Sequence, residues 1–176
     1  MKKIAAFAGS TSSTSINKQL ATYAGSKITS AEVTVLDLND FEVPLFSEDF
    51  EKNNEYPKGA ENFNSELDKY DGFIVSLAEH NGSYAAAFKN LFDWVSRKNR
   101  EVFRNKQVLL MATSPGGRGG ATVLAAAEGT FPHMGAAGIT KFSLGSFYDN
   151  FKEGAIVNEE LDSQLSAAVS AFENTI

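Results

Sequence analysis

The chain has 176 residues, 43% of them hydrophobic and 22% charged, which fits one domain with a sizeable core and is too apolar for a disordered segment. Sixteen Lys and Arg against 22 Asp and Glu give a net charge of −6 with neutral His, so the electrostatic footprint of a phosphate-backbone binder is missing and no nucleic acid partner is expected. There is no cysteine, which excludes disulfides, thiolate nucleophiles, iron–sulfur clusters and Cys-based zinc sites.

His80 and His133 lie far apart and form no HExxH, so no metal site is expected. The apolar run at residues 4–8 is shorter than the roughly 7–15 residues of a signal-peptide core, and no run approaches the roughly 20 of a membrane span. A cytoplasmic protein without a membrane partner is therefore expected. Asn81-Gly82-Ser83 matches a glycosylation acceptor formally, but that acceptor needs a secreted chain.

Short apolar runs ending in small or polar residues alternate with stretches of helical period, the pattern of βαβ units and a parallel sheet. Residues 4–8 read as a buried strand and 9–15 as a Gly/Ser/Thr loop. Ile16, Leu20, Tyr23 and Ala24 follow as a helical stripe behind an N-capping Ser15. Residues 32–38 form a second strand, and 39–58, with Pro44, Pro57 and several acids, a long loop of the kind that serves as a lid or interface arm. Residues 60–69 read as a helix, 72–77 as the third strand and 78–83 as a small polar loop. Residues 84–97 are helical, with Phe88, Leu91, Phe92 and Val95 as the inward stripe. A fourth strand at 106–112, a Gly-rich loop at 113–120, a helix at 121–134, a fifth strand at 138–144 and a closing helix at 159–172 complete a strict alternation of five strands and five helices, a single α/β domain over 1–176.

The loops after strands one, three and four all follow carboxyl ends of strands, where open α/β sheets bind ligands at the point of strand-order reversal. The first, Gly9-Ser10-Thr11-Ser12-Ser13-Thr14-Ser15-Ile16-Asn17, combines small residues, several hydroxyls and a helix start, which makes an anion cradle without a lysine of P-loop type. No GxxxxGK[ST] surrounds it, Thr122 interrupts the dinucleotide pattern that begins at Gly117, and strand one lacks the acids of a receiver domain. A monophosphate-bearing cofactor survives these exclusions, FMN foremost.

Three ordered motifs carry a family resemblance. Gly9, Ser10, Ser12, Ser15 and Asn17 stand on G-S-x-R-x-x-S-x-N. Ala78-Glu79-His80-Asn81-Gly82-Ser83 followed by Phe88-Lys89-Asn90-Leu91-Phe92-Asp93-Trp94 stands on P-E-Y-N-x-S and L-K-N-x-x-D-W. Ser114-Pro115-Gly116-Gly117-Arg118-Gly119-Gly120 stands on S-P-G-x-x-G-G. From Lys3 to about Leu144 the chain thus resembles the NADPH-dependent FMN reductases. That resemblance implies a flavodoxin-like three-layer sandwich, a five-stranded parallel sheet of order 2-1-3-4-5 with helices on both faces. It also implies an FMN-dependent NAD(P)H oxidoreductase that passes hydride to flavin, quinone or another small-molecule electron acceptor, as a homodimer or homotetramer. An FMN-binding electron-transfer module without NAD(P)H activity is the alternative.

By the same resemblance Ser10, Ser12, Ser15, Ile16 and Asn17 hold the FMN phosphate through hydroxyl, amide and backbone N–H donors. Ala78, Glu79, His80, Asn81 and Ser83 meet the flavin ring largely with backbone groups, and Ser114, Pro115, Gly116 and Gly117 close its other side. Arg118 is the candidate for the NAD(P)H phosphate, and no side-chain acid or base is required for chemistry that belongs to the flavin. Three departures stand out. Ser12 replaces an arginine and removes one charge-assisted contact worth roughly 1.5–3 kcal/mol, Ala78 replaces proline, and His80 replaces the aromatic placed beside the ring. The Glu79 side chain is expected in solvent, Gly119 and Gly120 at a tight turn against a helix, and Phe92 and Trp94 in the core or a dimer seam. Arg97, Lys98, Arg100, Arg104 and Lys106 read first as helix-dipole partners or plain surface.

Overall fold

The computed structural model describes residues 1–176. β1 (Lys2–Gly9) turns sharply into α1 (Ile16–Ser26), because Ser15 caps the helix by accepting the Lys18 N–H at 3.1 Å. β2 (Ala31–Val35), a 3₁₀ turn at Leu38–Phe41, α2 (Glu48–Asn53) and α3 (Lys58–Leu67) lead to β3 (Gly72–Leu77). A two-stranded hairpin, β4 (Glu79–His80) and β5 (Ser83–Tyr84), precedes α4 (Ala86–Lys98). β6 (Lys106–Thr113), α5 (Ala121–Thr130), a 3₁₀ turn at Phe131–Met134 and β7 (Ala136–Leu144) come next. α6 (Phe147–Asn150), the hairpin β8 (Phe151–Lys152) with β9 (Ala155–Ile156), and α7 (Glu159–Glu173) close the chain.

The main sheet is parallel throughout and ordered β2-β1-β3-β6-β7, which is 2-1-3-4-5 when its own strands are counted. Strand alternation splits the core in two. Ala5, Phe7, Phe73, Val75, Val108 and Leu110 face α3, α4 and α5, while Ile4, Ala6, Ile74, Leu109 and Met111 face α1 and α7. Covered on both faces, β3 and the inner part of β6 are continuously buried, as parallel central strands require.

Residues 39–58 are not a free arm. Phe46, Phe50 and Tyr56 pack edge-on around Trp94, ring centroids 5.0–6.0 Å away. Trp94 Nε1 donates to Pro44 O at 2.7 Å, and the Tyr56 hydroxyl donates to Trp94 O at 2.9 Å. Trp94 is thus fully buried in its own subunit under a strap, and Phe92 lies beside it in the core. The expected helix over 121–134 stops at Thr130, where Pro132 and the left-handed Gly135 (φ +80°) turn the chain into β7 two residues before the expected strand start. Tyr84 belongs to the hairpin rather than to the helix that follows it. The 147–156 segment has no counterpart in the five-by-five alternation. Phe147, Phe151 and Ile156 seal the sheet face under α7.

Candidate functional site

The four polar side chains buried in this structure all lie at the carboxyl edge of the sheet: Ser15, Asn17, Ser76 and Thr113. Buried polar groups are kept where hydrogen bonds satisfy them, and Asn17 is the hub. Its Nδ2 donates to Thr113 O at 3.2 Å; its Oδ1 accepts from Thr113 N–H at 3.0 Å and from the Ser76 hydroxyl at 2.8 Å. One carboxamide therefore ties the start of α1 to the ends of β3 and β6, the two strands from which the second and third loops spring. The Asn17 carboxamide oxygen and one Nδ2 hydrogen are thus engaged inside the protein, and its backbone N–H stays free at the helix start.

The first loop is held open as a cradle. Ser12 N–H bonds to Ser10 Oγ at 3.2 Å, Ser12 and Thr14 hydroxyls are 3.4 Å apart, and Ser15 N–H bonds to Ser12 O at 3.1 Å. Lys18 N–H and Gln19 N–H are satisfied by Ser15, so the first-turn donors left over are the Ile16 and Asn17 N–H groups at the positive end of an 11-residue helix. Lys18 is the one charged residue between positions 9 and 18, and it pairs with Asp37 Oδ2. The Lys18 ammonium and the Asn39 N–H together hold the Asp37 carboxyl below its ordinary range. Asn39 Nδ2 in turn bonds to Thr11 O at 3.2 Å, fastening the loop to the turn after β2.

The second loop is the β4–β5 hairpin, whose corner Asn81-Gly82 carries φ +51° and +73°, both in the left-handed region that such tight hairpins use. His80, Asn81 and Ser83 are exposed on it, and Ala78 is buried at its base. Contrary to expectation, the Glu79 side chain is not simply solvated: Oε2 accepts the Val123 N–H of α5 at 2.8 Å. Exposed loop acids usually point to water, but a helix start with an uncapped N–H draws a carboxylate.

The third loop is braced from behind. Gly116 O accepts from Ser146 N–H at 2.9 Å and from the Ser114 hydroxyl at 2.9 Å, and Ser114 O accepts from Phe147 N–H at 3.1 Å. Gly119 (φ +58°) is forced: a Cβ there would stand 2.3 Å from Ser143 Oγ and 2.9 Å from Gly145 N. Gly116 has nothing within 4 Å of a Cβ position and Gly117 only Ser146 Oγ at 3.8 Å, so this part of the loop presents bare main chain, with Pro115 exposed beside it. Arg118 is exposed and donates to Thr122 Oγ1 at 3.0 Å. Most of the other basic set is structural. Arg97 forks onto Glu51 at 2.8 and 2.9 Å, Lys98 meets Glu61 at 2.8 Å, and Arg104 binds Asp68 at 2.7 Å.

A cavity of about 550 Å³ flanks the first loop, between the strap and α4, and shares only Thr11 with the three loops. Its Asn39 and Asn90 amides are already bonded, to Thr11 O and Asp37 and to Pro44 O and Phe46 N–H. The free first-turn N–H groups of Ile16 and Asn17 lie outside this cavity, at the start of α1.

The sequence profile described as NADPH-dependent FMN reductase matches residues 2–149. The chain belongs to that family. Among curated relatives of this FMN reductase family member, a 2-hydroxy-1,4-benzoquinone reductase from a Burkholderia species is 30% identical over 118 residues, 66% of this chain and 63% of the relative. A quinone reductase of Escherichia coli K12 is 30% identical over 80 residues, 46% of this chain and 43% of the relative. Both alignments span less than two thirds of those relatives. FerB of Paracoccus denitrificans, a flavoenzyme NAD(P)H:(acceptor) oxidoreductase, matches the FMN reductase fold with a TM-score of 0.77 at 22% identity, covering 99% of this chain and 97% of that one. An NADH:FMN oxidoreductase in its apo form reaches 0.70 at 21% identity, over 100% and 90%. At these identities the structural likeness speaks to the flavodoxin-like fold alone.

The Asn17 side chain, Ser76 and the Glu79 carboxylate are the site features that motif reading misplaced or passed over. A signal existed for one of them: Ser76 interrupts an otherwise apolar buried strand, and such a hydroxyl needs a partner.

Proposed function

We propose that this protein is an FMN-dependent NAD(P)H oxidoreductase that delivers electrons to flavin, quinone or another small acceptor. The observation that carries it is topological: the three small-residue loops follow the adjacent carboxyl ends of β1, β3 and β6, where open α/β sheets bind ligands, in a chain of the FMN reductase family. The donor set of the first loop fits a phosphate dianion, since it holds four serine and two threonine hydroxyls, two free helix N–H groups and no carboxylate.

In this reading Ser10, Ser12 and Ser15 donate hydroxyls to the FMN phosphate, and Ile16 and Asn17 donate backbone N–H groups. Ala78, Glu79, His80, Asn81 and Ser83 line one side of the ring, and Ser114, Pro115, Gly116 and Gly117 the other, where N–H donors stabilise negative charge on reduced flavin. Bound flavin supplies the hydride acceptance and donation; the chain binds, orients and excludes water. Arg118, exposed at the mouth, offers charge to the NAD(P)H phosphates.

We further propose one FMN-binding domain over 1–176, a homodimer or homotetramer, and a cytoplasmic location, where NAD(P)H is regenerated. No helix is long and apolar enough to cross a membrane. Absorbance of the purified protein, with flavin bands expected, and steady-state NAD(P)H oxidation with FMN and a quinone supplied test the reading. Flavin binding without NAD(P)H oxidation would establish the electron-transfer module instead, and absence of both flavin binding and NAD(P)H oxidation would sink the proposal.

A further inference from the structure

α5 opens at Gly120, which has φ +75° and no side chain with which to cap a helix. Two of its early N–H groups are satisfied locally, Ala121 by Arg118 O and Leu124 by Gly120 O. The Val123 N–H is satisfied from 44 residues upstream, by the Glu79 carboxylate at 2.8 Å. A carboxylate on an N–H at the positive end of a helix is one of the stronger hydrogen bonds a protein makes. The corner of the same hairpin also approaches this turn of α5: a Cβ added at Gly82 would lie 3.8 Å from Thr122 Cγ2.

The Glu79–Val123 bond joins the hairpin that forms the second loop to the helix that ends the third. The Glu79–Val123 bond exists only while both loops hold the conformation seen, so it acts on the width of the crevice between them. We propose, resting on the flavin reading of that crevice, that Glu79 is a latch between the two loops and so a positioning residue for the planar ring, with no share in binding the phosphate. By linkage, a ring seated between the loops strengthens the latch by the same factor as the latch strengthens ring binding.

The test compares wild type, Glu79→Ala and Glu79→Gln by hydrogen exchange at the Val123 amide and by fluorescence titration with FMN and with riboflavin, which has the ring but no phosphate. Glu79→Ala is expected to speed Val123 exchange about tenfold in flavin-free protein and to weaken FMN and riboflavin by a common factor of about ten. Glu79→Gln keeps an oxygen that accepts the same N–H and is expected to restore both to within about threefold. In wild type, added riboflavin slows Val123 exchange. If Glu79→Ala does not fold, Glu79→Asp, one methylene shorter and out of reach of Val123, carries the same comparison.

An alanine variant that binds riboflavin as wild type does, with Val123 exchange already fast, overturns the latch and leaves the flavin reading standing. A variant that loses FMN but not riboflavin also overturns it, because the effect would then lie at the phosphate. Wild-type protein that binds neither flavin overturns the flavin reading and the latch together.

Discussion

Asn17 and Thr113, 96 residues apart, exchange two hydrogen bonds: the carboxamide donates to Thr113 O at 3.2 Å and accepts the Thr113 N–H at 3.0 Å. A side chain thereby pairs with main chain as a neighbouring strand would, at the one end of β6 from which the third loop departs. Replacing it by alanine leaves the Thr113 N–H and the Ser76 hydroxyl buried and unpaired. Asn17→Ala is expected to cost about 2–4 kcal/mol, read as a fall of roughly 5–15 °C in the thermal midpoint. Flavin affinity should drop with it, because the first loop loses its tie to the other two.

Ser12 stands where the family commonly has arginine, and it is exposed, bonded only to its own loop. Ser12→Arg should add one charge-assisted phosphate contact of roughly 1.5–3 kcal/mol, an increase of about 10- to 100-fold in FMN affinity. Riboflavin, lacking the phosphate, should bind both forms alike. Equal FMN titrations for the two proteins would show that the hydroxyls already meet the phosphate fully.

Gly119 and Gly116 make a matched pair in the third loop. Alanine at Gly119 must place a Cβ into Ser143 Oγ and the main chain at Gly145 with φ at +58°, so a loss of about 2–4 kcal/mol is expected in chemical denaturation. Alanine at Gly116 meets nothing and should leave stability within about 0.5 kcal/mol. Its added methyl projects into the open space assigned to the ring, so FMN affinity should fall about tenfold while the fold is intact.

The charge pattern sets a stability plateau. Lys18 and Asn39 hold the Asp37 carboxyl below its ordinary 3.8. At Glu173 partial burial alone would raise the pKa, but donors from Ser30 and Thr29 at 2.8 Å outweigh it and hold the carboxyl below 4.5. Groups depressed in the folded state give stability that is present above the unfolded pKa and lost as pH falls through the folded one, so the thermal midpoint should decline below about pH 5. Glu173→Gln should flatten part of that decline. At the alkaline end burial pushes Tyr56 from 10.0 up to about 12, which gives stability that is lost as pH rises through that interval. Tyr56→Phe should remove its share of the alkaline loss, while Tyr23, Tyr70 and Tyr84, also raised by burial, keep theirs.

The hydrophobic periods of the chain by themselves determined the alternation of strands and helices, the sheet-buried runs, the Ser15 cap and the three loops that end parallel strands. Those features are local or nearly so: a stripe of period 3.6 or a continuous apolar run is stable only in one kind of element, and a Gly/Ser run before a helix makes one kind of turn. The tertiary structure alone decided the rest. Whether Asn17 turns its amide to a ligand or to Thr113, whether Glu79 points to water or to Val123, and whether residues 39–58 swing free or strap down over Trp94 depend on partners 38 to 96 residues away. The same holds for the 151–156 hairpin, whose two-residue strands are held by Phe151 and Ile156 against the sheet face. No local pattern encodes such contacts, because the energy that selects each arises from burial and hydrogen bonds made only after the sheet has brought its carboxyl edge together.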